Sequence, residues 1–219
     1  MTGLEIGLTG FGALLVLLAL RIPIGVAMLG VGIVGYVTIA GEVALFSYLK
    51  TETYWRFTSD TLSVVPLFLL MGQFAAKAGL SQALFSAAYT WLGHHRGGVA
   101  MAAVGGCAGF GAISGSSLAT SATMGQVALP ELKRFNYSGA LATGSLAAGG
   151  TLGILIPPSI VLIIYAVMVE ANVATLFQAA FIPGILAALG YIAVIAIVVR
   201  VNPEAGPAGP KASRAEKWS

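Results

Sequence analysis

Apolar residues occur along this chain in long runs, and charged residues stand in short clusters between them. Three runs, at 4–20, 24–40 and 62–76, approach the length that an α-helix needs to cross a hydrocarbon core of ~30 Å. A further run at 174–199 exceeds it. In residues 42–60, by contrast, charges alternate with aromatic side chains, a mixture typical of the membrane–water boundary. The pattern predicts membrane-spanning helices with 42–60 as an interfacial connector.

Residues 81–95 have a different pattern, because polar residues recur there at every fourth position: Gln82, Ser86, Thr90 and His94. This spacing places the polar side chains on one face of an α-helix and the apolar ones on the others. We therefore expect a helix that lies in the membrane interface with its polar stripe toward water.

Residues 97–130 contain no charged side chain over 34 positions, and one straight helix of that length would extend about 51 Å. Basic residues flank the run on both sides, Arg96 before it and Lys133 with Arg134 after it. A single crossing would put one flank outside, against the tendency of cations to stay in the cytoplasm. We therefore predict a re-entrant helical hairpin with its tip in the small, polar segment 111–117.

Residues 138–169 are also too long for one straight crossing, at about 48 Å as a helix. Two groups interrupt them, a glycine-rich stretch at 149–153 and the pair Pro157 and Pro158. Proline has no amide donor, and glycine is a poor helix former. We predict a broken transmembrane helix, unwound through both groups near mid-membrane, followed by a returning helix at 174–200.

Composition strengthens the membrane interpretation. Of the 219 residues, 9% are charged and 58% are apolar, and the mean hydropathy is +0.92. An average soluble domain carries roughly 25% charged residues, so this chain has too little polar surface for a soluble globule and too much apolar content for a disordered chain. A net charge of +3 is too small and scattered for nucleic-acid binding. The single cysteine, Cys107, excludes an internal disulfide.

The positions of the eleven cations predict an orientation. With the N-terminus outside, only Lys50 and Arg56 fall outside, and nine cations fall on the cytoplasmic side: Arg21, Lys77, Arg96, Lys133, Arg134, Arg200, Lys211, Arg214 and Lys217. A straight crossing at 97–130 would reverse the side of every later residue, so the split favours the hairpin. Residues 201–219, rich in proline and glycine, are predicted to be a flexible cytoplasmic linker.

Neutral oxygen atoms are the candidate ligands inside the two interrupted segments, because neither segment contains a carboxylate. Carbonyl groups at the end of a half-helix suit Na⁺, and amides at the start of one suit a substrate carboxylate. Five hydroxyl groups add oxygens: Ser114, Ser116, Ser117, Thr151 and Ser159. The competing interpretation is that the glycine and serine residues only let helices pack closely, as small residues spaced four apart do.

Two other function classes are open at this point. An intramembrane serine hydrolase would use Ser114 or Ser117 as the nucleophile and His94 or His95 as the base. The G-x-S-x-G motif of many such enzymes is absent, because the window around Ser114 reads AISGS. The other alternative is a non-transporting scaffold or assembly subunit of a membrane complex.

Two long motifs resemble the DctM-type large membrane subunit of tripartite ATP-independent periplasmic (TRAP) transporters. They are GAISGSSLATSATMGQVALPELK at 111–133 and ALATGSLAAGGTLGILIPPSIVLIIYAVMVE at 140–170, and LSVVPLFLLMG at 62–72 and FIPG at 181–184 are similar to further signatures of that family. The resemblance implies a Na⁺ symporter of organic anions such as C4-dicarboxylates, sialic acid or related sugar acids, with no enzyme activity and no cofactor. It also implies an elevator mechanism in a bacterial or archaeal cytoplasmic membrane.

The same resemblance implies an all-α integral membrane fold, the first inverted repeat of an elevator-type transporter. Residues 1–96 would form scaffold helices and an interfacial arm helix, and 97–173 would form half of the transport domain. The returning helix 174–200 and the linker 201–219 would complete this repeat. Family members have about twice as many residues, so the implied partners are a second repeat, a periplasmic solute-binding protein and a small DctQ-type membrane subunit.

Family motifs also carry over a set of site residues. Na⁺ would lie between the hairpin tip and an unwound loop, held by Ser114, Gly115, Ser116, Ser117, Gly149, Gly150, Thr151, Pro157 and Pro158. Substrate would contact Ser116, Ser117, Thr151 and Ser159.

Overall fold

A computed structural model describes residues 3–58 and 60–210, and the side chains of all of these except 56, 57 and 60–63. The described residues form α-helices and one short 3-10 helix, without a strand, which confirms the predicted all-α class. The helices are α1 (Gly3–Ala19), α2 (Ile24–Ala40), α3 (Glu42–Phe57), α4 (Asp60–Lys77), α5 (Leu80–Leu92), α6 (Gly98–Ser114), α7 (Ser117–Arg134), α8 (Gly139–Leu155), α9 (Ile160–Met168) and α10 (Val173–Val201). Lys211, Arg214, Lys217 and the Arg56 side chain, all used in the orientation argument, lie outside the described part.

The chain divides into two compact units at residues 59 and 60. The first contains α1 to α3, where Ala27 and Leu45 are the buried side chains among those described and most other apolar side chains are exposed. A cavity of about 390 Å³ lies between α1 and α2 and is lined by residues of both. The interfacial connector expected at 42–60 is largely helical here, as α3. The ring of Tyr48 in α3 packs against that of Tyr36 in α2, with 5.3 Å between the ring centroids. With so few buried side chains, this unit presents its apolar residues outward.

The second unit contains α4 to α10 and nearly all of the described core. Its centre is α6, which has twelve buried residues and packs against α5, α7 and α8. Because α4 and α5 belong to this unit, the structural division differs from the expected grouping of residues 1–96 with the scaffold helices.

The chain reverses direction between α6 and α7. Gly115 has φ +61°, in the left-handed region that glycine adopts without strain, and Ser116 begins α7 as its N-cap. A Cβ placed on Gly106 would lie 2.5 Å from Met124 Cε, and these two residues are each nine positions from Gly115. The helices therefore run antiparallel as a hairpin, with both bases at the Arg96 and Arg134 ends.

Helix α5 runs antiparallel along α6. Leu84 packs on Gly109, Phe85 on Gly106 and Ala88 on Gly105. Of the predicted polar stripe, Gln82 and Ser86 are exposed, whereas Thr90 and His94 are half-buried. Because α5 packs along the length of α6, the two helices share one orientation. The position of α5 in the membrane interface stays a prediction.

The prediction that 149–153 unwind is wrong, because these residues are helical within α8. Their missing side chains instead allow close approach: a Cβ on Gly149 would lie 3.0 Å from Cys107 Sγ, and one on Gly153 would lie 2.7 Å from the Ser116 carbonyl oxygen. Glycine lowers helix stability by only about 1 kcal/mol per residue, which packing against α6 and α7 can outweigh. The helix breaks only at 156–159, around the prolines.

The flexible linker predicted from residue 201 onward is also wrong for its described part. Residues 202–210 begin with a 3-10 helix, Pro203–Ala205, and fold back on the second unit, where Ala205 and Gly206 are buried. Backbone hydrogen bonds hold them there: Gly97 N donates to Gly206 O at 2.9 Å, and Ser138 N donates to Ala205 O at 3.0 Å.

By length and apolar composition, α10 alone among the described helices is long enough to cross a membrane by itself. Two bent pairs are each long and apolar enough to do so jointly: residues 64–77 with α5, bent by 63°, and α8 with α9, bent by 43°. The broken helix predicted at 138–169 thus corresponds to α8 and α9.

The close glycine contacts between α6 and α8 predict that a methyl group added at a contacting glycine lowers the protein's stability, whereas one added at a glycine without such contacts does not. In Gly111→Ala, the new Cβ would lie 2.8 Å from the Gly153 Cα, so backbone must move, and overpacking of this kind costs about 1–3 kcal/mol. We expect a lower thermal unfolding midpoint in detergent. The matched control is Gly144→Ala, where no atom lies within 4 Å; it should keep or raise the midpoint. Equal midpoints for the two variants would contradict this packing.

Candidate functional site

The two interruptions of the second unit face each other. One is the hairpin tip at Gly115 and Ser116, and the other is the break between α8 and α9 at 156–159. The Ile160 amide donates a hydrogen bond to the Gly115 carbonyl at 3.3 Å. A Cβ placed on Gly115 would lie 3.0 Å from the Pro158 carbonyl oxygen. The tip and the proline break are therefore in direct backbone contact.

Four helix ends meet at this point with opposite partial charges. Helices α6 and α8 end there, which brings carbonyl groups, and α7 and α9 begin there, which brings amide groups. Ser116 Oγ accepts a hydrogen bond from Ala119 N at 3.4 Å, and Ser159 Oγ accepts one from Leu162 N at 3.5 Å. Both serines are thus N-caps, which explains why each new helix begins where it does.

Beneath the tip lies a pair of buried hydroxyl groups. Ser114 Oγ and Thr120 Oγ1 are 2.9 Å apart, and the two residues are 2% and 0% exposed. Thr120 was not among the residues predicted from the sequence. The signal that would have found it is its position near the start of α7, where it lies one helical turn after the tip and on the same face as Ser116 and Ser117.

Two further helices contact the interruptions through glycine. In α4, a Cβ placed on Gly72 would lie 3.2 Å from the Ser114 Cα. In α10, one placed on Gly184 would lie 3.3 Å from the Leu155 carbonyl oxygen and 2.9 Å from Ile156 Cγ1. Both glycines lie in the signatures at 62–72 and 181–184, so those motifs have a structural role beside the site.

The structure brings together only part of the predicted site. Ser114 and Gly115 are buried at the tip, while Ser116, Ser117, Pro157 and Pro158 are half-buried around the meeting point. Ser159 is fully buried, and its hydroxyl serves the α9 cap. The side chains on the meeting point's partly open surface are therefore those of Ser116, Ser117 and the two prolines.

The other three predicted site residues lie elsewhere in α8. Gly149 and Gly150 are six or more residues before the break, at least about 9 Å along the helix, and they face α6 and α7. The Thr151 hydroxyl donates to Ala148 O at 2.7 Å and lies 3.1 Å from the Tyr191 hydroxyl of α10. Their position follows from the continuous helix: without unwinding at 149–153, nothing turns these groups toward the tip.

The serine hydrolase alternative is wrong on geometry. His94 and His95 lie in the turn before α6, whereas Ser114 and Ser117 lie at its other end. Seventeen helical residues, about 25 Å, separate the two ends, so neither histidine is within reach of a serine hydroxyl as a base.

The possible cation ligands at the meeting point are carbonyl and hydroxyl oxygens, which lie beside the amides of α7 and α9. No cluster of three His, Cys, Asp or Glu side chains occurs within residues 3–58 and 60–210. Hard, neutral oxygen donors suit an alkali cation better than a transition metal. The chemistry of this donor set fits Na⁺.

A family comparison identifies the protein class. The family model described as "Tripartite ATP-independent periplasmic transporter, DctM component" matches residues 11–218. The chain belongs to this DctM family. This confirms the resemblance seen in the motifs, and the relatives in this family are transporter permeases rather than enzymes.

Curated relatives agree with the family assignment. The chain is 45% identical over 156 residues to the C4-dicarboxylate TRAP transporter large permease protein DctM of Pseudomonas aeruginosa, covering 71% of this chain and 36% of the relative. It is 30% identical to the protein of the same name from Rhodobacter capsulatus, covering 95% and 50%. It is 35% identical to the sialic acid TRAP transporter permease protein SiaT of Haemophilus influenzae, covering 74% and 26%. The chain thus spans half or less of the length of these relatives.

The hydroxyl pair beneath the tip predicts a specific loss of stability in Thr120→Val, which keeps the side-chain shape but removes the hydroxyl. The Ser114 hydroxyl would then be buried without its partner, at a cost of about 1–3 kcal/mol. We expect a lower unfolding midpoint in a denaturant or thermal titration of the purified protein.

The matched control is Thr143→Val in α8, whose exposed hydroxyl bonds only to Gly139 O of its own helix; its effect should stay within about 0.5 kcal/mol. The double variant Ser114→Ala with Thr120→Val should cost less than the sum of the single variants, because both remove the same interaction. Additive losses, or equal losses for Thr120→Val and Thr143→Val, would contradict the pair.

Proposed function

We propose that this chain forms part of the permease of a Na⁺-coupled importer of organic anions that receives its substrate from a periplasmic binding protein. The observation that carries the proposal is the contact between the hairpin tip and the proline break, marked by the Ile160–Gly115 hydrogen bond. Interrupted helices that meet inside a membrane protein expose backbone dipoles to a cavity or an ion rather than to lipid.

Na⁺ is the proposed coupling ion. Its candidate ligands are the oxygens of Ser114 to Ser117 at the tip and of Pro157 and Pro158 at the break. Two helix C-termini at this point supply partial negative charge, and no carboxylate occurs in 97–130 or 138–169. We do not extend the proposal to Gly149, Gly150 and Thr151, because they lie away from the break.

The proposed substrate is an organic anion that contacts Ser116 and Ser117. Both are half-buried at the start of α7, where free amides and the helix dipole favour a carboxylate. Relatives are named for C4-dicarboxylate and sialic acid transport, and both ligand types carry carboxylates. These two names support an organic anion that carries a carboxylate as the proposed substrate class.

A re-entrant hairpin in the membrane is supported by the charges at its base. Gly97 and Ser138 both bond to the segment after α10, so the exposed cations Arg96, Arg134 and Arg200 belong to one end of the second unit. Lys77 departs from this grouping, because it ends α4 near the tip, where Gly72 of the same helix contacts Ser114. The proposed cytoplasmic face therefore rests on the base cations without Lys77.

An elevator movement and three partners complete the proposal. The second unit, which carries the hairpin and the broken helix, would be the moving part, and α1 to α3 would belong to the scaffold. A second repeat of inverted topology, a small DctQ-type subunit and the periplasmic binding protein would be its partners. The second repeat is proposed from the family resemblance, and the chain spans half or less of the length of these relatives.

The ion site predicts an effect of Ser116→Ala on Na⁺ affinity. The variant removes a candidate ligand, and losing about 1.4 kcal/mol of ion binding would raise the Na⁺ concentration for half-maximal uptake about tenfold. The measurement is uptake of a radiolabelled C4-dicarboxylate, with sialic acid as a second probe, by the complete transporter in proteoliposomes over a Na⁺ titration.

Ser138→Ala is the matched control for this experiment. Ser138 is also an N-cap whose hydroxyl accepts from the amide three residues later, at 3.3 Å, but it lies at the base of the hairpin. Both variants lose a cap, and only Ser116→Ala should change the half-maximal Na⁺ concentration. Equal Na⁺ titrations for the two would remove Ser116 from the site, and uptake independent of Na⁺ in the unmodified protein would overturn the coupling.

The hairpin topology predicts the sides from which single cysteines react. In a Cys107→Ala background, Arg96→Cys and Asn136→Cys should both react with a membrane-impermeant maleimide from the cytoplasmic side, because a re-entrant hairpin starts and ends there. Lys50→Cys should react from the opposite side. All three native side chains are exposed. Labelling of Asn136→Cys from the Lys50 side would mean that 97–130 crosses the membrane and would favour a different assembly role.

A further inference from the structure

The segment after α10 lies at the far end of the second unit from the candidate site. Residues 202–209 cross the starts of α6 and α8, while the tip and the break lie at the other ends of those helices. Neither the family motifs nor the predicted ion site involves this segment. Its contacts therefore require a separate explanation.

Three successive carbonyl groups of the segment are all used as acceptors. Ala205 O accepts from Ser138 N, the N-cap amide of α8, and Gly206 O accepts from Gly97 N, the N-cap amide of α6, at 3.0 and 2.9 Å. Pro207 O accepts from the Tyr137 hydroxyl at 2.9 Å. The segment thus supplies partners to two helix starts at once, where amides otherwise lack intrahelical acceptors.

Tyr137 connects the segment to α6 by a second route. Its hydroxyl oxygen also accepts a hydrogen bond from Val99 N at 3.2 Å, an amide in the first turn of α6. The residue is only 7% exposed. Burial raises the pKa of the Tyr137 hydroxyl further above its ordinary value, and the hydroxyl donates to Pro207 O. One hydroxyl therefore bridges the segment and the helix start.

Glycine is required where the segment packs most closely. A Cβ on Gly206 would lie 2.7 Å from Val199 Cγ1 of α10 and 3.1 Å from Leu141 Cδ2 of α8. Gly209 N donates to Gly93 O at 2.9 Å, and a Cβ there would lie 2.7 Å from the same oxygen. The fit of the segment depends on the absence of both side chains.

We propose that residues 202–209 are a strap that holds the starts of α6 and α8 and the end of α10 together. The Tyr137 hydroxyl is the side-chain group that joins this strap to α6. The docking surface for the strap consists of residues 93–99 and 135–141, and its occupant is this segment of the same chain. The strap holds the base of the hairpin in place. The tip lies at the other end of α6, away from the strap. It acts independently of whether the tip binds Na⁺.

Hydrogen–deuterium exchange of the intact protein in lipid nanodiscs tests the strap. In the unmodified protein, peptides covering 93–99 and 135–139 should exchange slowly. Tyr137→Phe removes the bridging hydroxyl and Gly206→Ala displaces the segment, so each should speed exchange in both peptides at least tenfold. Combining the two changes should add little, because either one releases the same strap.

Two matched variants control for loss of a tyrosine hydroxyl and of a glycine. Tyr191→Phe removes a hydroxyl that bonds to Thr151 instead of the strap, and Gly190→Ala adds a Cβ with no atom within 4 Å. Both should leave exchange in the two peptides unchanged. Fast exchange there in the unmodified protein, or equal exchange in test and control variants, would overturn the proposal.

A distance measurement separates release of the strap from general unfolding. Spin labels at Gln126 in α7 and Ile197 in α10, both exposed, report how firmly the end of α10 is held to the hairpin in a Cys107→Ala background. The distance distribution should be narrow in the unmodified protein and broader in Tyr137→Phe and Gly206→Ala, with exchange in 160–185 unchanged. An unchanged distribution, or faster exchange in 160–185 as well, would contradict a local strap.

Discussion

The need to give every buried helix end a hydrogen-bond partner determines how the second unit of this chain is built. Helices α7, α9 and α10 begin with a side chain that accepts from their first amides, supplied by Ser116, Ser159 and Asn172. Helix α6 begins after Gly97, which has no side chain to do this, and the Gly206 carbonyl and the Tyr137 hydroxyl accept from its first amides instead. At the tip and the break, where α7 and α9 have these serine caps, one further backbone bond, from Ile160 N to Gly115 O, joins the two interruptions. The candidate site is thus the place where four helix ends meet and are joined to each other.

Much of the fold was predictable because the structural effects of charged residues and prolines can be interpreted from the sequence around them alone. The second apolar run coincides with α2, and the proline pair marks the break between α8 and α9. The hairpin was found from its basic flanks, and the structure reverses the chain within the predicted tip, although its position in the membrane stays a prediction. Both arguments use local features: a missing donor at proline and the cost of moving a cation across lipid.

The errors have the opposite origin, in contacts between distant residues. Gly149 to Gly153 favour no helix by themselves, and they stay helical because α6 and α7 approach to where side chains would stand. The docked part of the linker is held by backbone carbonyls, which carry no sequence signature, so its proline and glycine content suggested flexibility. Thr120 was not predicted for a similar reason: its hydroxyl matters because it bonds to that of Ser114, six residues away across the tip. Membership of the DctM family, in turn, establishes the class of protein but not its ligand, since relatives are named for different substrates.

The short helix α9 has a mechanical consequence. It contains nine residues, of which Ile163 and Ala166 are buried, and its side chains at 161, 164, 165 and 168 are exposed. One backbone hydrogen bond joins its start to the hairpin tip, and such a bond contributes on the order of 1 kcal/mol net. The line between Gly115 and Ile160 is therefore a weakly bonded seam of the second unit, and it lies beside the proline break at which α9 bends by 43° from α8.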